Sequence, residues 1–352
     1  MSFGSDNWAG AHPAVMAALA AANEGLAPAY GNDPITARAI AAVCETFETP
    51  CAVAFVPTGT AANALALSCL APAYGAVVCH EAGHIAIDEG NAIGFFNGGA
   101  RLLTLGGAGG KLTAEALARA AAACPAGNVH GPQPRAVSIA NATESGTVYR
   151  PEEVAALAAV CRAQGWGLHI DGARLANALA ATGASPAELT WKAGVDALSL
   201  GLTKTGALMA EAVVLFGETG REALPYLRKR AGHLLSKHRL ASAQALALLE
   251  GGLWLKLAAH ANEKARALAA VLEQAGAALI HPVEANEVFA RLPDALAGAL
   301  VGAEIGFYPW PPDGPGAYRF VASWATTDAD VAAAAAALAQ PGQRGGPIPV
   351  RG

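Results

Sequence analysis

Two stretches of the sequence decide the fold: Leu168-His169-Ile170-Asp171-Gly172-Ala173-Arg174 and Ser199-Leu200-Gly201-Leu202-Thr203-Lys204. Each contains a short apolar run that indicates a buried strand, and a charged side chain lies just past that run. Parallel strands end at the same edge of a sheet, and open α/β sheets bind their ligands at that edge. We therefore expect Asp171 and Lys204, 33 positions apart, to face a single ligand.

An acid and an amine placed in this way suit a flat, cationic cofactor. In enzymes that use pyridoxal phosphate, a lysine bonds covalently to the cofactor and an aspartate keeps the ring nitrogen protonated. The residue types therefore predict pyridoxal 5'-phosphate as the cofactor, with Lys204 and Asp171 in these two roles.

Strand-length apolar runs alternate with helical patterns over the first two thirds of the chain. The predicted strands are Ala52–Val56, Ala76–Cys79, Arg101–Thr104, Ala136–Ala140, Gly167–Ile170, Ala197–Leu200 and Ala212–Phe216. This alternation predicts an α/β fold whose mostly parallel sheet is covered by helices. We predict a large domain over residues 1–235, a smaller C-terminal α+β domain over 236–340 and a loose tail over 341–352.

Composition excludes several classes of function. The chain has 352 residues, a net charge of -5 and only 14% charged residues, so nothing indicates a nucleic-acid partner. No strongly apolar stretch reaches the length of a membrane span. The N-terminus lacks the pattern of a secretory signal, and the six cysteines form no CxxC pair, so we expect a cytoplasmic protein.

The segment Pro57-Thr58-Gly59-Thr60-Ala61-Ala62-Asn63 follows a predicted strand and opens a helix. Gly59 allows close approach of the backbone, and the next amides together with the Thr60 hydroxyl can bind a phosphate group. Taken alone, the segment is more typical of a helix that is merely capped. Beside Asp171 and Lys204 it predicts a phosphate site.

His80-Glu81-Ala82-Gly83-His84 matches the HExxH signature of zinc proteases, which opens a second hypothesis, a zinc hydrolase. Against it, the motif starts where a strand ends, and the helix that we predict there spans only Glu81–Glu89. In the cofactor hypothesis His84 lies flat over the ring. A histidine that merely caps a helix is the third interpretation.

Arg319 is a candidate for binding a substrate carboxylate. It lies in a predicted strand near the C-terminus, and a further arginine, Arg174, lies three residues after Asp171. A guanidinium group can bind a carboxylate through two parallel hydrogen bonds. A surface position on an edge strand is an equally good explanation of Arg319.

Several motifs together resemble the L-threonine aldolases of the β-eliminating lyase group, which are fold-type I pyridoxal-phosphate enzymes. The resemblance extends from Ser5 to Thr327 and rests on the motifs Tyr30-Gly31-Asn32-Asp33-Pro34, Thr58-Gly59-Thr60-Ala61-Ala62-Asn63, Gly83-His84-Ile85, His169-Ile170-Asp171-Gly172-Ala173-Arg174 and Thr203-Lys204. It implies retro-aldol cleavage of an L-β-hydroxy-α-amino acid, such as threonine, allo-threonine or phenylserine, to glycine and an aldehyde. It also implies a homotetramer built from dimers.

The resemblance implies a role for each matching residue. Those at the cofactor are Lys204, Asp171, Gly59, Thr60, Asn63, Arg174 and His84, which stacks on the ring. Those at the substrate are Ser5, Tyr30, Arg174, Arg319 and Glu144. Arg228 and Lys229 are implied to reach the phosphate in a neighbouring subunit, and Tyr30 belongs to a segment of the same kind. No metal is expected.

Glu144 departs from the family pattern, because many members have a second histidine there. A carboxylate at this position could order a water or accept a proton. The residues leave three alternatives open: another pyridoxal-phosphate reaction such as β-elimination or transamination, the zinc hydrolase with His80 and His84, and a binding module without catalysis, which the intact Lys204 disfavours.

Overall fold

The computed structural model describes residues 2–339, so the predicted tail over 341–352 lies outside the described residues. The strands β1 to β11 are Ala52–Val56, Gly75–His80, Arg101–Leu105, Gln133–Ala140, Gly167–Gly172, Ala197–Gly201, Glu211–Leu215, Ala278–Leu279, Glu287–Arg291, Tyr308–Pro309 and Ala317–Val321. The helices α1 to α13 are Pro13–Asn23, Pro34–Thr46, Gly59–Leu70, His84–Ile87, Ala92–Asn97, Ala114–Ala123, Pro151–Gln164, Leu175–Thr182, Leu224–Arg230, Arg239–Leu249, Leu253–Gln274, Asp294–Gly302 and Asp328–Leu338.

Seven strands form one sheet in the order β1-β7-β6-β5-β4-β2-β3. Strands β2 to β6 pair in parallel with their neighbours, whereas β7 runs antiparallel to both β6 and β1. The predicted α/β fold with a mostly parallel sheet is confirmed. Asp171 lies opposite Ser199 in the register of β5 and β6, so these two strands end side by side.

Helices begin where local chemistry satisfies their first amides. The Thr58 hydroxyl accepts a hydrogen bond of 3.1 Å from the amide of Ala61 at the start of α3. Pro151 occupies the first turn of α7, where Glu152 and Glu153 complement the helix dipole. No helix within residues 2–339 is long and apolar enough to cross a membrane.

The C-terminal part forms a second, antiparallel sheet in the order β10-β11-β9-β8, covered by α11, α12 and α13. Its core includes Phe307 and Phe320, and also Phe3 from the N-terminal segment. Phe3 donates a backbone hydrogen bond to Gly306 and accepts one from Val321. The predicted smaller α+β domain is thus present, and the N-terminal segment is bound to it.

The predicted boundary at residue 235 stays a prediction, and the cores of both sheets extend into α11. Helix α10 packs against α1 and α2, and its Ala245 lies in the core of the large sheet. Within α11, Ala258 belongs to that same core, whereas Leu268 belongs to the core of the small sheet.

The helix predicted over Glu81–Glu89 is wrong in extent, because only the turn His84–Ile87 is helical. His80 still belongs to β2, and the amide of Gly83 donates to the carbonyl of His80 in a tight turn. A Cβ at Gly83 would meet that carbonyl oxygen at 2.9 Å, so the turn has no room for a side chain. Helices α1, α2 and α12 went unpredicted, since alanine-rich sequence gives little contrast between apolar and polar faces.

Candidate active site

A cavity of about 270 Å³ opens at the carboxyl edge of the large sheet, beside the N-terminus of α3. The residues predicted from the sequence that line it are Gly59, Thr60, Asn63, His84, Glu144, Asp171, Arg174 and Lys204. They come from segments far apart in the chain. The strand order brings them together, because β4, β5 and β6 are neighbours.

Asp171 ends β5 almost fully buried, at 8% exposure. One carboxylate oxygen accepts a hydrogen bond of 2.8 Å from the Asn63 side chain. The other accepts one of 3.0 Å from the amide of Ala173. These bonds stabilise the ionised carboxylate and fix its direction at the cavity wall.

The N-terminus of α3 forms a second wall. The first amides of a helix have no partner within it, so those at Gly59 and Thr60 can serve an anion. A Cβ at Gly59 would meet nothing within 4 Å, which leaves open space in front of this backbone. Asn63 lies one turn on and is directed at Asp171, so its expected contact with a phosphate stays a prediction.

Lys204 lies in a single turn of 3-10 helix, Thr203–Thr205, just past β6. No ion pair or hydrogen bond joins its Nζ to any residue within 2–339. The buried Glu211 lies beside it and accepts a hydrogen bond of 2.6 Å from the amide of Leu202. Burial raises the pKa of Glu211 to about 7.

His84 lines the cavity with its ring held at one nitrogen. Its Nδ1 lies 2.8 Å from Oε1 of Glu89, whose side chain is 2% exposed. This hydrogen bond is the largest cause of the raised pKa of His84. The same oxygen of Glu89 accepts a bond of 2.8 Å from Asn63, which links His84 to Asp171 through two side chains.

Glu144 lies against the backbone of His84 and accepts a hydrogen bond of 2.7 Å from the His84 amide. Burial, helped by the nearby charge of Asp171, raises the pKa of Glu144 to about 7. Its Oε2 is buried and has no hydrogen-bond partner among residues 2–339. Glu144 is therefore a buried carboxyl group whose pKa lies above its usual value.

Arg174 is held from two sides by acids. Its Nε and Nη2 donate to Asp6 at 2.8 and 3.0 Å, and Nη2 lies 3.5 Å from Glu287. Burial alone lowers the pKa of Arg174, but Asp6 and Glu287 together raise it above its usual value. Arg319 lies 3.9 Å from Glu287 and 4.9 Å from the Trp310 ring, so Glu287 connects both arginines.

Five residues predicted for the site are not part of the cavity wall: Ser5, Tyr30, Arg228, Lys229 and Arg319. Arg319 and Arg174 both form an ion pair with Glu287. Ser5 is two residues from Asn7, which does line the cavity. Tyr30 is half-exposed at positive φ, with the Nζ of Lys229 5.2 Å from its ring centre. The roles of these five residues stay predictions.

His80 does not share a ligand position with His84. Its Nε2 lies 2.9 Å from the Gly107 carbonyl, and its Nδ1 accepts a bond of 3.0 Å from the amide of Ala82. The described residues contain one group whose ligand atoms lie within 4.8 Å of one another, His84, Glu89 and Asp171, and it does not include His80. The geometry disfavours the zinc-hydrolase hypothesis, because HExxH chemistry needs both histidines on one helix face.

Sequence reasoning missed four buried acids at or next to the site: Asp6, Glu89, Glu211 and Glu287. Two had a signal, since Glu211 begins an otherwise apolar strand and Glu287 directly precedes the apolar run Val288-Phe289-Ala290. Charged residues are rarely buried without a partner, so an acid inside an apolar run is informative. No sequence signal marked Glu89 or Asp6, except that they lie close in the chain to His84 and Ser5.

Known proteins match the whole of this architecture. The β-eliminating lyase family model matches residues 2–295. A low-specificity L-threonine aldolase from a Pseudomonas species is 45% identical over 330 residues, which are 94% of each chain. The solved structure of the Leishmania major threonine aldolase has a TM-score of 0.90 at 30% identity and covers 96% of this chain and 98% of that one.

A more distant structure shows how widely the fold is shared. An alanine–glyoxylate aminotransferase from Nostoc has a TM-score of 0.69 at 17% identity, covering 97% of this chain and 94% of that one. Both groups are pyridoxal-phosphate-dependent families. From the family match, the identity and the structural likeness together, this chain belongs to the β-eliminating lyase family, in the group of the threonine aldolases.

Proposed function

We propose that this protein is a carbon–carbon lyase that cleaves L-threonine, L-allo-threonine or a related L-β-hydroxy-α-amino acid, such as phenylserine, to glycine and an aldehyde. The observation that supports this most directly is the convergence of Lys204, Asp171 and His84 on one cavity in a chain of this family. The named relatives are described as low-specificity enzymes, which is compatible with several β-substituents.

Pyridoxal 5'-phosphate fits the residues of the cavity. Asp171, ionised and held by Asn63, would hold the ring nitrogen in its protonated form. The open backbone at Gly59 and Thr60 would take the phosphate, and Lys204 would provide the covalent attachment. When bound, the cofactor supplies an electron sink for the pair left on Cα.

Arg174 is the candidate for binding the substrate carboxylate. The Nε and Nη2 atoms of Arg174 donate to Asp6. No hydrogen bond or ion pair among residues 2–339 involves Nη1, so that donor is available to a ligand. Ser5 and Arg319 are proposed to complete this subsite. Holding the carboxylate fixes the angle between the Cα–Cβ bond and the rest of the site, which favours cleavage of that bond.

The reaction requires one proton to leave the β-hydroxyl group. As the O–H bond breaks, the oxygen forms a double bond to Cβ, the Cα–Cβ bond breaks, and its electron pair stays on Cα until a proton arrives there. His84, or a water that it orients, is the proposed base. Glu144, with its pKa at about 7, is the second group that can take or return a proton at neutral pH.

The remaining proposals concern the assembly. We propose a cytoplasmic homotetramer in which Arg228 and Lys229 reach the phosphate of a neighbouring subunit, with Tyr30 beside them at the substrate. Their support is positional: the Nζ of Lys229 lies 5.2 Å from the centre of the Tyr30 ring, and Nη1 of Arg228 lies 3.3 Å from Nε2 of the buried His238. All six cysteines are free thiols, which suits a reducing compartment.

The test is to incubate the purified protein with pyridoxal phosphate and each of L-threonine, L-allo-threonine and phenylserine. Equal release of glycine and aldehyde supports retro-aldol cleavage. Release of 2-oxobutyrate and ammonia from threonine would instead show β-elimination, and dependence on an added 2-oxo acid would show transamination. Lys204→Ala is the matched control, since it keeps the cavity but removes the attachment point.

A further inference from the structure

Glu89 is a buried acid whose surroundings are unusual. Its side chain is 2% exposed, and its one ion-pair partner among residues 2–339 is His84. Its other contact is the Asn63 amide at 2.8 Å. A buried carboxylate is costly unless hydrogen bonds stabilise it, and here Asn63 and His84 are within hydrogen-bond distance of the same oxygen.

The hydrogen bond between Glu89 and His84 determines which nitrogen of the His84 ring carries the proton. An ionised carboxylate only accepts hydrogen bonds, so Nδ1 must carry the proton that lies between it and Glu89. In the neutral ring Nε2 then has the lone pair. The side chain of His84 is 44% exposed and lines the cavity, so the basic nitrogen remains accessible to a ligand.

We propose that Glu89 is the positioning residue for His84: it fixes the Nδ1–H tautomer and the ring orientation, so that Nε2 serves as the base for the β-hydroxyl group. The inference rests on the proposed aldol cleavage for its catalytic part. Nothing in the family match or in the names of the relatives assigns a role to Glu89, and the sequence motifs do not include it.

The charges around His84 act in the same direction, with one exception. Glu89 at Nδ1 and Asp171 nearby both favour the protonated ring, and Glu144 adds negative charge on the side of the backbone amide. Lys204 opposes them. Since Glu89 makes the only hydrogen bond to the His84 ring among residues 2–339, removing its charge should lower the pKa of His84 more than any other single change in this set.

A purely structural role is the competing explanation, because Glu89 also binds Asn63. Glu89→Gln separates the two roles. Glutamine has nearly the same size, and its carbonyl oxygen can still accept the hydrogen bond from Asn63. It carries no charge and can present either its oxygen or its NH₂ group to Nδ1, so it no longer specifies the tautomer.

The experiment is magic-angle-spinning ¹⁵N spectroscopy of the cofactor-loaded full chain, labelled at its nine histidines. Such spectra distinguish a protonated ring nitrogen from one with a lone pair. Subtracting the spectrum of His84→Asn assigns the His84 signals, and a pH series gives its titration. Turnover of L-threonine is measured in parallel. Glu153→Gln is the matched control. It removes a carboxylate that lies away from the site and accepts a hydrogen bond of 2.9 Å from Lys111.

In the wild type we expect neutral His84 to be protonated at Nδ1. In Glu89→Gln the Nε2–H form should appear and the pKa of His84 should fall. The kcat should drop on the order of 10- to 100-fold, because the variant loses part of the rate enhancement that a general base contributes. Glu89→Asp should restore most of the tautomer preference. Glu89→Ala removes the charge in a second way, should the glutamine variant not fold. The control should change none of these quantities.

An unchanged tautomer and titration in the variants overturn the inference, even if kcat falls, because the loss would then be structural. A changed tautomer with unchanged kcat overturns it as well. Failure of the proposed function looks different: the wild type would release no aldehyde from any of the three substrates, whereas the spectra would still report whether Glu89 controls His84.

Discussion

Replacing Glu144 by glutamine removes a carboxyl group that the fold makes hard to ionise. Burial, with the charge of Asp171, raises the pKa of Glu144 from 4.5 to about 7. At about 1.36 kcal/mol per pH unit, this rise corresponds to at most about 3 kcal/mol, and partial exposure of the residue reduces it. The folded protein keeps the proton to a higher pH than the unfolded chain does. The contribution of Glu144 therefore favours folding below pH 4.5 and is lost as the pH rises towards 7.

Glutamine has no such titration, so Glu144→Gln should gain stability relative to the wild type as the pH rises. We expect the difference in the free energy of unfolding between the two proteins to grow by about 1–3 kcal/mol from about pH 5 to about pH 8. Urea unfolding of both cofactor-free proteins measures it, at one fixed protein concentration so that subunit association affects both alike. A difference that stays constant within about 0.5 kcal/mol would refute the reasoning.

Four further outcomes test the site. Lys204→Ala should lose turnover and the borohydride-stable attachment of the cofactor while it keeps its circular dichroism; attachment at another lysine in this variant would contradict the assignment. Asp171→Asn should lower the rate on the order of 10²-fold, since asparagine cannot stabilise a protonated ring nitrogen by charge, and near-normal activity would exclude the role. Arg319→Ala should raise KM more than it lowers kcat, and two unchanged constants would refute the contact. His84→Asn should lose on the order of 10²-fold in rate and His80→Asn much less, whereas equal losses with stoichiometric zinc in the wild type would favour the hydrolase.

Local pattern was sufficient for the strands that carry the site. The apolar runs before Asp171 and Lys204 are short and bounded by glycine, and β5 and β6 lie where those runs predict them. The helix Asp328–Leu338 likewise begins at a local signal, a capping box formed by Thr327 and Asp330. By contrast, only one turn of the helix expected over Glu81–Glu89 is present, because His80 belongs to β2 and pairs with β3.

Local pattern could not show which side chains neutralise one another. Arg174 and Asp6 are 168 positions apart, and Glu287 comes from the other domain, yet the three form one buried group. Sequence reasoning assigned Arg174 to a ligand without the acids that hold it. A buried ion pair depends on which surfaces meet in space, and no periodicity in a single chain records that.

The sequence by itself determined the class of this protein: the strand-ending Asp171, the Lys204 that follows the next strand, and the glycine turn at Gly59 together predict the sheet edge and the cofactor, and the resemblance to the threonine aldolases adds the reaction type. Only the tertiary structure decided how the site is tuned. It buried Glu89 against His84 and left one oxygen of Glu144 without a hydrogen-bond partner among residues 2–339. The physical reason is that residue type sets what a group can do, whereas its proton affinity and direction depend on the solvent, charges and donors that the fold places around it.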